Sequence, residues 1–400
     1  MMSDFDAIIV GGGPAGASAA IHLAASGARV LLAERERFPR EKLCGEFISP
    51  ECLEHFARLG VLDRMEDGGG ARVSETVFYA PSGRSVAVPS AWFGGAHGAR
   101  GDALGLSRAE MDERLLERAR EAGVEVLEET TLAGVIIEGA RLRGVRLHTA
   151  DGAANGGVRE FRARVTLDAT GRQRAVARRA QRELSSREKT RAHLVAFKAH
   201  LECTRGARGV CEIYFYPGGY GGLSPVERGL SNLCFIARAR DVRERGSDAL
   251  RVMREVLMRN RRAAQTLAHA EARTRWLGVT VESFGRHEPA PFDGLLAVGD
   301  AAAFIDPFTG SGMLMALEGG ELAARGVVRW LARDDDDFTT LAREYREGYE
   351  ACFDARLRLC GLLRRAALAP SCFAEVAVLA LGASAFVRRG LARSTRGRSA

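Results

Sequence analysis

Three glycines, Gly11, Gly13 and Gly16 in the run IIVGGGPAGASAA, carry the spacing that phosphate chemistry asks for. Gly11 permits a tight turn, Gly13 lets backbone approach a pyrophosphate, and Gly16 lets a helix lie close on a sheet. Pro14 and Ala15 open that helix, so its unpaired N–H groups face the anion. Some twenty residues on, Glu34, followed by Arg35, ends the next apolar strand, where a carboxylate would accept hydrogen bonds from a ribose and repel a 2′-phosphate. On these residues alone NAD and FAD fit equally well.

A second constellation separates them. The segment LLAVGDAAAFIDPFTGSGMLMALEGGELAA sets a strand, then Gly299 and Asp300, a loop with Pro307, and Gly310 and Gly312 before another helix. Asp300 is placed to bind a polyol chain. The N–H groups of Gly312 and Met313 would stabilise the negative charge that a reduced isoalloxazine carries near N1 and C2=O. Arg108 stands in the first turn of a helix opened by Ser107 and Glu110, where a cation opposes the macrodipole, and a bound pyrophosphate would remove that conflict. Cys44 and Gly45, in RFPREKLCGEFISP, admit two readings, a small packing thiol or a redox and cofactor contact.

The elements that must position these residues read as follows. Asp6 to Val10 is a strand, a helix runs to about Ser26, and Arg29 to Glu34 is the next strand, a βαβ start. Strand alternation recurs over Glu75 to Pro89 around a Pro81-Ser82-Gly83 turn, and the helix after Ser107 buries Met111, Leu115, Leu116 and Ala119. Short strands from Ala133 to Leu167 deliver Asp168 in DATG, strands dominate Ala192 to Asn232, and Ser247 to about Arg273 reads as helical. Residues Arg172 to Arg191 read as a solvated helix and linker, the run Asp334 to Asp337 as a loop or helix start, and the remainder as amphipathic helix.

These parts predict an α/β protein whose Rossmann-type, three-layer parallel-sheet domain is discontinuous in sequence, with an inserted, mostly antiparallel substrate sheet and C-terminal helices. The expected division is 1–74, 104–180 and 277–333 for the dinucleotide domain, 75–103 and 181–276 for the substrate domain, and 334–400 for the helical region.

Composition excludes several classes. The chain of 400 residues, 46% hydrophobic and 27% charged, is that of a folded globular protein rather than a disordered or fibrous one. Its formal charge of +7 comes almost wholly from Arg, with Lys only at positions 42, 189 and 198, and no basic stripe alternates with aromatics, so nucleic acid is not an expected partner. Eight cysteines include no CxxC pair, which predicts neither a metal site nor a disulfide framework and suits reduced thiols in a cytoplasm. GxSxG and HExxH motifs are missing, the N-terminus lacks a basic leader, and the apolar run Phe373 to Val387 is interrupted by Glu375 and short of a span. Arg388, Arg389, Arg393, Arg396 and Arg398 after that run suggest peripheral contact with anionic lipid.

Taken together, GGGPAG with Glu34, RFPREKLCGEFISP, the Arg of LSRAEMDERL, DATG and GDAAAFIDPFTGSGM resemble the FAD-dependent group that includes para-hydroxybenzoate hydroxylase-type enzymes, geranylgeranyl reductases and flavin-dependent halogenases. The resemblance spans roughly residues 5 to 330. It implies FAD as cofactor, Arg108 in contact with it, Asp300 on the ribityl chain, Gly312 and Met313 at the pyrimidine edge of the flavin, and Cys44 and Gly45 nearby. The chain departs from the group in three places. Tyr214-Phe215-Tyr216-Pro217 lacks the Trp of the reductases' Y-x-W-x-F-P, the halogenases' W-x-W-x-I-P is missing, and DATG stands where hydroxylases show Asp-Gly.

The expected activity is therefore an FAD-dependent oxidoreductase, first a monooxygenase of a hydrophobic or phenolic, polyketide-like molecule, with Tyr214, Tyr216 and Tyr220 as its wall. The alternatives are reduction of isoprenoid double bonds, with Cys44 as an acid, halogenation, and a flavoprotein without turnover. With one GxGxxG in the chain, NAD(P)H would bind transiently, or a separate reductase would deliver the electrons.

Overall fold

The computed structural model describes residues 4–93, 101–149, 157–182, 193–281, 284–333, 337–368 and 371–395, at 182, 371 and 372 for the backbone alone. In chain order the elements that matter here begin with β1 (Phe5–Val10), α1 (Pro14–Ala25), β2 (Val30–Ala33), α2 (Pro50–Leu59), β3 (Glu75–Tyr79) and β4 (Ser85–Pro89). They continue with α3 (Arg108–Glu121), β5 (Glu125–Leu127), β6 (Thr131–Glu138), β7 (Arg141–His148), β8 (Val158–Asp168) and α4 (Ala175–Arg182). Next come β9 (Leu194–Glu202), β10 (Val210–Tyr216), β11 (Gly219–Pro225), β12 (Ser231–Arg238), α5 (Ala249–Glu255), α6 (Arg261–Thr266), β13 (Leu277–Val281) and β14 (Leu295–Ala297). Four helices close the chain, α7 (Gly312–Leu331), α8 (Phe338–Ala367), α9 (Ser371–Ala383) and α10 (Ala385–Ser394).

The first sheet runs β5-β2-β1-β8-β7-β6, with β14 also on β8. Its centre is parallel, as apolar strands such as AIIV and VLLA, buried on both faces, require. Strand β8 is long enough for two jobs. Its first half pairs antiparallel with β7, from His148 opposite Val158 to Gly144 opposite Arg162, and its second half pairs parallel with β1, ending with Val10 beside Asp168. Helices α1 and α7 cover one face, and the β6–β7–β8 meander with α4 covers the other through Val145, Leu147, Phe161 and Val176. One flank of the expected parallel sheet is therefore an antiparallel meander folded back as a layer.

The second sheet runs from Glu271–Ala272 through β9-β12-β11-β10-β3-β4, with β13 paired to β9 from Leu194 opposite Val281 to Lys198 opposite Leu277. Leu277–Val281, expected in the dinucleotide domain, thus belongs to the second sheet; its backbone completes the exposed edge of β9. The stretch expected as one helix from Ser247 to Arg273 is broken into α5, a 3-10 turn over Leu257–Arg259, and α6, which Asn260 caps by accepting from the N–H groups of Arg262 and Ala263. Among the described residues no helix is long and apolar enough to cross a membrane. Asp337 caps α8 by accepting from Thr339 N at 2.9 Å, whereas Asp334–Asp336, the linker from 183 to 191, and Arg396 and Arg398 lie outside the described residues.

Candidate functional site

Two helix N-termini converge at one end of the first sheet. Gly11 has φ +112°, and a Cβ there would lie 2.3 Å from the carbonyl oxygen of Ala169. At Gly16 a Cβ would lie 2.0 Å from the Gly11 oxygen, so the helix sits where only glycine lets it. Gly13 is different. A Cβ there would meet only the guanidinium ends of Arg108 at 3.7 Å and Arg40 at 3.9 Å, which leaves room beside two cations for a group that is not protein. No side chain caps α1, and Pro14, Ala15 and Gly16 of its first turn are buried.

Helix α7 repeats the arrangement. Gly310 turns the chain at φ +62°, Ser311 makes no cap to the helix that Gly312 and Met313 open, and Pro307 begins the preceding 3-10 turn. At Gly320 a Cβ would come within 2.4 Å of the Ala15 oxygen, and at Gly299 within 2.8 Å of the Ala15 Cβ. These close approaches hold α7 and the Gly299-Asp300 turn against α1.

Asp300 is half-buried at this junction and has no hydrogen-bond partner among the described residues. Burial pushes its carboxyl up, against the pull of Arg108, Arg172 and Lys42. Lys42 is open to solvent by area but walled by the cleft. Desolvation, with the charges of Arg40, Arg108 and Arg35, lowers its ammonium to about 8. Two uncapped, buried helix N-termini, a cluster of cations and an unpartnered carboxylate fit the pyrophosphate and polyol of a dinucleotide.

Other expected residues are placed less directly. Glu34 is buried and serves the loop itself, accepting from Gly12 N at 2.7 Å and Glu36 N at 3.1 Å. Arg35 points outward to Gln173 at 3.2 Å. Arg108 does not wait for an anion to settle its conflict with the helix dipole. Asp112, one turn on and fully buried, takes its Nε and Nη2 at 2.8 and 2.6 Å and holds the guanidinium charged although burial opposes that charge. Arg40 joins the same carboxylate at 2.9 Å. Asp168 of DATG is structural, accepting from Thr170 and from Ala177 N at 2.9 Å.

Cys44 is half-buried beside the Arg108 guanidinium and near Cys234, and its carbonyl accepts from Asn232 at 2.9 Å. Gly45 follows it with open space where a Cβ would point. Next in the chain, Glu46 is fully buried in the left-handed region at φ 54°. Its carboxylate takes Lys198 Nζ at 2.7 Å, His200 Nε2 at 2.6 Å and Arg108 N at 2.9 Å, while Glu41 takes Lys198 from the other side. Glu41, Glu46 and His200 lie close enough to share a cation, and the Lys198 ammonium occupies that place.

The expected tyrosine wall is corrected by strand parity. Tyr214 and Tyr216 point to the far face of the second sheet, into the core with α5 and Leu257; Tyr214 donates to Glu212 at 2.8 Å and Tyr216 to the Tyr220 and Ile236 carbonyls, each at 2.9 Å. Tyr220, opposite Phe215, faces the near side, and its hydroxyl donates to Asp306. The near side belongs to Phe78, Phe215 and Phe308, whose rings lie 5.5–6.4 Å apart and line an apolar cavity of about 170 Å³. Val86, Val88, Leu363, Val378, Leu381 and Leu391 add to its wall, and Thr309 brings it to the loop before α7.

Asp112, Arg40, Lys42, Glu46, Lys198 and His200 were not among the expected site residues. The spacing of Arg108 and Asp112, four apart on a helix, was a readable signal. So was the rarity of Lys, since two of only three lysines stand at this site.

Comparison with known proteins agrees with this geometry. Digeranylgeranylglycerophospholipid reductase 2 of Methanopyrus kandleri is 29% identical over 357 residues, covering 88% of this chain and 83% of that protein. The corresponding reductase of Methanosarcina acetivorans is 28% identical over 358 residues, covering 87% of this chain and 81% of that one. Among solved structures, a geranylgeranyl bacteriochlorophyll reductase-like protein from Thermoplasma acidophilum superposes with TM-score 0.79 at 21% identity, covering 98% of this chain and 96% of that one. The flavin-dependent brominase Bmp2 does so with TM-score 0.80 at 20% identity, covering 98% and 93%; both likenesses speak for the fold. Residues 4–323 match the FAD binding domain family, and the chain therefore belongs to that family and is an FAD-dependent oxidoreductase.

Proposed function

We propose that this oxidoreductase saturates carbon–carbon double bonds in the isoprenoid chain of a lipid. The observation that carries the reading is the apolar cavity beside the Pro307–Met313 loop, whose lining holds five phenylalanines and aliphatic side chains and whose polar members are only Thr309, Arg388 and Thr395. A phenolic substrate needs a hydrogen-bonding partner that this lining scarcely offers, since Tyr214 and Tyr216 point away and Tyr220 is engaged by Asp306. A hydrocarbon needs none. The relatives named as digeranylgeranylglycerophospholipid reductases support the same choice over a hydroxylase.

FAD, when bound and reduced, supplies a hydride to one carbon of the double bond. The second hydrogen is a proton, and Cys44 is the residue proposed to hold it. The Arg108 guanidinium lies beside its sulfur, and Asn232 fixes the backbone at that point. Solvent returns the proton to the thiol. The phenyl rings of Phe78, Phe215 and Phe308 orient the chain and exclude water from the reacting carbons. Electrons come from NAD(P)H bound transiently or through a separate reductase, as the chain carries one dinucleotide fingerprint.

The test is anaerobic. Dithionite-reduced enzyme mixed with a geranylgeranyl lipid is expected to regain the oxidised flavin spectrum, and Cys44→Ser to retain FAD but slow that recovery at least about tenfold. A reduced flavin that is indifferent to the lipid, and that only oxygen with a phenol reoxidises into product, would return the assignment to a hydroxylase.

A further inference from the structure

Seven large apolar side chains among the described residues are markedly exposed, and six of them, Leu362, Phe373, Val376, Leu379, Phe386 and Val387, fall between positions 362 and 387. In α9 the exposed positions 373, 376 and 379 recur at helical spacing, while Ala374, Ala377, Val378 and Leu381 form the opposite stripe and line the apolar cavity, which Phe373 also borders from the boundary between the two faces. The helix is thus apolar on both faces. One face packs inside the protein, and the other, centred on Val376 and Leu379, stays exposed among the described residues.

The charge around the uncovered face is of one sign. From position 361 onward the chain carries seven Arg and a single acidic residue, Glu375. Glu375 is withdrawn from that face, since its carboxylate accepts from Ser82 N at 2.8 Å and Ser82 Oγ at 2.7 Å on the turn between β3 and β4. Arg365, Arg389 and Arg393 are exposed, and Arg388 lies with its guanidinium 5.8 Å over the Trp92 ring at the rim of the cavity. No helix here can span a bilayer, so the pattern is that of helices lying in an interface with apolar side chains in the acyl boundary and Arg at the headgroups.

We propose that α9 and α10 dock the protein on an anionic membrane surface, and that they form the roof through which a lipid's hydrocarbon chain passes from the bilayer into the cavity without crossing water. The second half of that statement rests on the reductase reading; the docking itself does not. A second copy of this chain is the competing occupant. The one-sided charge argues against it, because a symmetric contact would set Arg389 and Arg393 of one copy near their own kind.

The experiment uses the full-length, FAD-loaded protein and measures co-sedimentation with vesicles of phosphatidylglycerol and phosphatidylcholine against vesicles of phosphatidylcholine alone. Binding is expected on the anionic vesicles and is expected to weaken with salt. Val376→Asp with Phe386→Asp, neither of which lines the cavity, should reduce it at least about tenfold, and Arg389→Gln and Arg393→Gln about fivefold each. Flavin content and thermal midpoint verify that the variants are folded. Because the readout is sedimentation, failure of the reductase reading would leave it unchanged. Absence of vesicle binding, or binding that these substitutions leave untouched, overturns the proposal, as does a dimer in sedimentation velocity that Val376→Asp with Phe386→Asp dissolves while no vesicle binding is seen.

Discussion

Lys42 shows how much of the site's chemistry depends on neighbours rather than on residue type. Its ammonium is lowered to about 8 by desolvation and by Arg40, Arg108 and Arg35, a cation held among cations at the mouth of the glycine loop. A pyrophosphate bound there would favour the charged form. The sign then follows from linkage. Below about pH 8 the free and the bound protein both hold the proton, and above it the free protein releases it first, so FAD affinity should fall as pH rises through about 8. Flavin fluorescence titrations of apoprotein from neutral to alkaline pH check this, with Lys42→Gln expected to bind more weakly at neutral pH and to lose that part of the slope. An unchanged slope in the variant would separate Lys42 from the cofactor. The close packing at Gly11 and Gly16 was legible in the sequence because it is local, set by a turn and a helix end. Glu46 was not. Its partners Lys198 and His200 are more than 150 residues away, and no short-range spacing announces them.

At the scale of elements, Glu46 joins the segment that carries Cys44 to β9 of the second sheet and to the start of α3. Lys198 is 1% exposed and Glu46 is not exposed at all, so removing the carboxylate would leave a buried cation with only Glu41 beside it. Loss of one partner from such a pair typically costs about 3–5 kcal/mol, whereas replacing both by apolar groups costs far less. Glu46→Ala is therefore expected to lower stability by about that amount in urea unfolding of the FAD-loaded protein, and Glu46→Leu with Lys198→Met to restore most of it. A loss in the single variant no larger than that of an exposed pair, about 1 kcal/mol or less, would contradict this role. Parity is the element-scale feature the sequence reading missed. The expected wall took Tyr214 and Tyr216 from β10, but alternate residues of a strand face opposite ways, so Phe215 and Tyr220 share the cavity face while the two tyrosines pack under α5. Which face meets the cofactor domain is decided by contacts across the sheet, and a run of adjacent aromatics, Tyr-Phe-Tyr, gives no alternation from which to read it.

On the scale of the whole molecule, the discontinuous cofactor domain and the inserted antiparallel sheet were readable because the fingerprint and the Gly299-Asp300 segment bracket the chain. The antiparallel meander was not, since β8 changes partners midway along one continuous strand, nor was the assignment of Leu277–Val281 to the second sheet. Together the two sheets and the C-terminal helices set a hydrocarbon-lined cavity against the loop that leads into α7. This arrangement is proposed to add hydrogen to a lipid rather than oxygen. Its most direct test is mass spectrometry of the products of a geranylgeranyl lipid incubated with the enzyme and an electron source under isotopically heavy oxygen. Products heavier by two hydrogens for each double bond and free of the oxygen label are expected, with the same products under nitrogen; incorporation of labelled oxygen, with no product under nitrogen, would contradict the reductase reading.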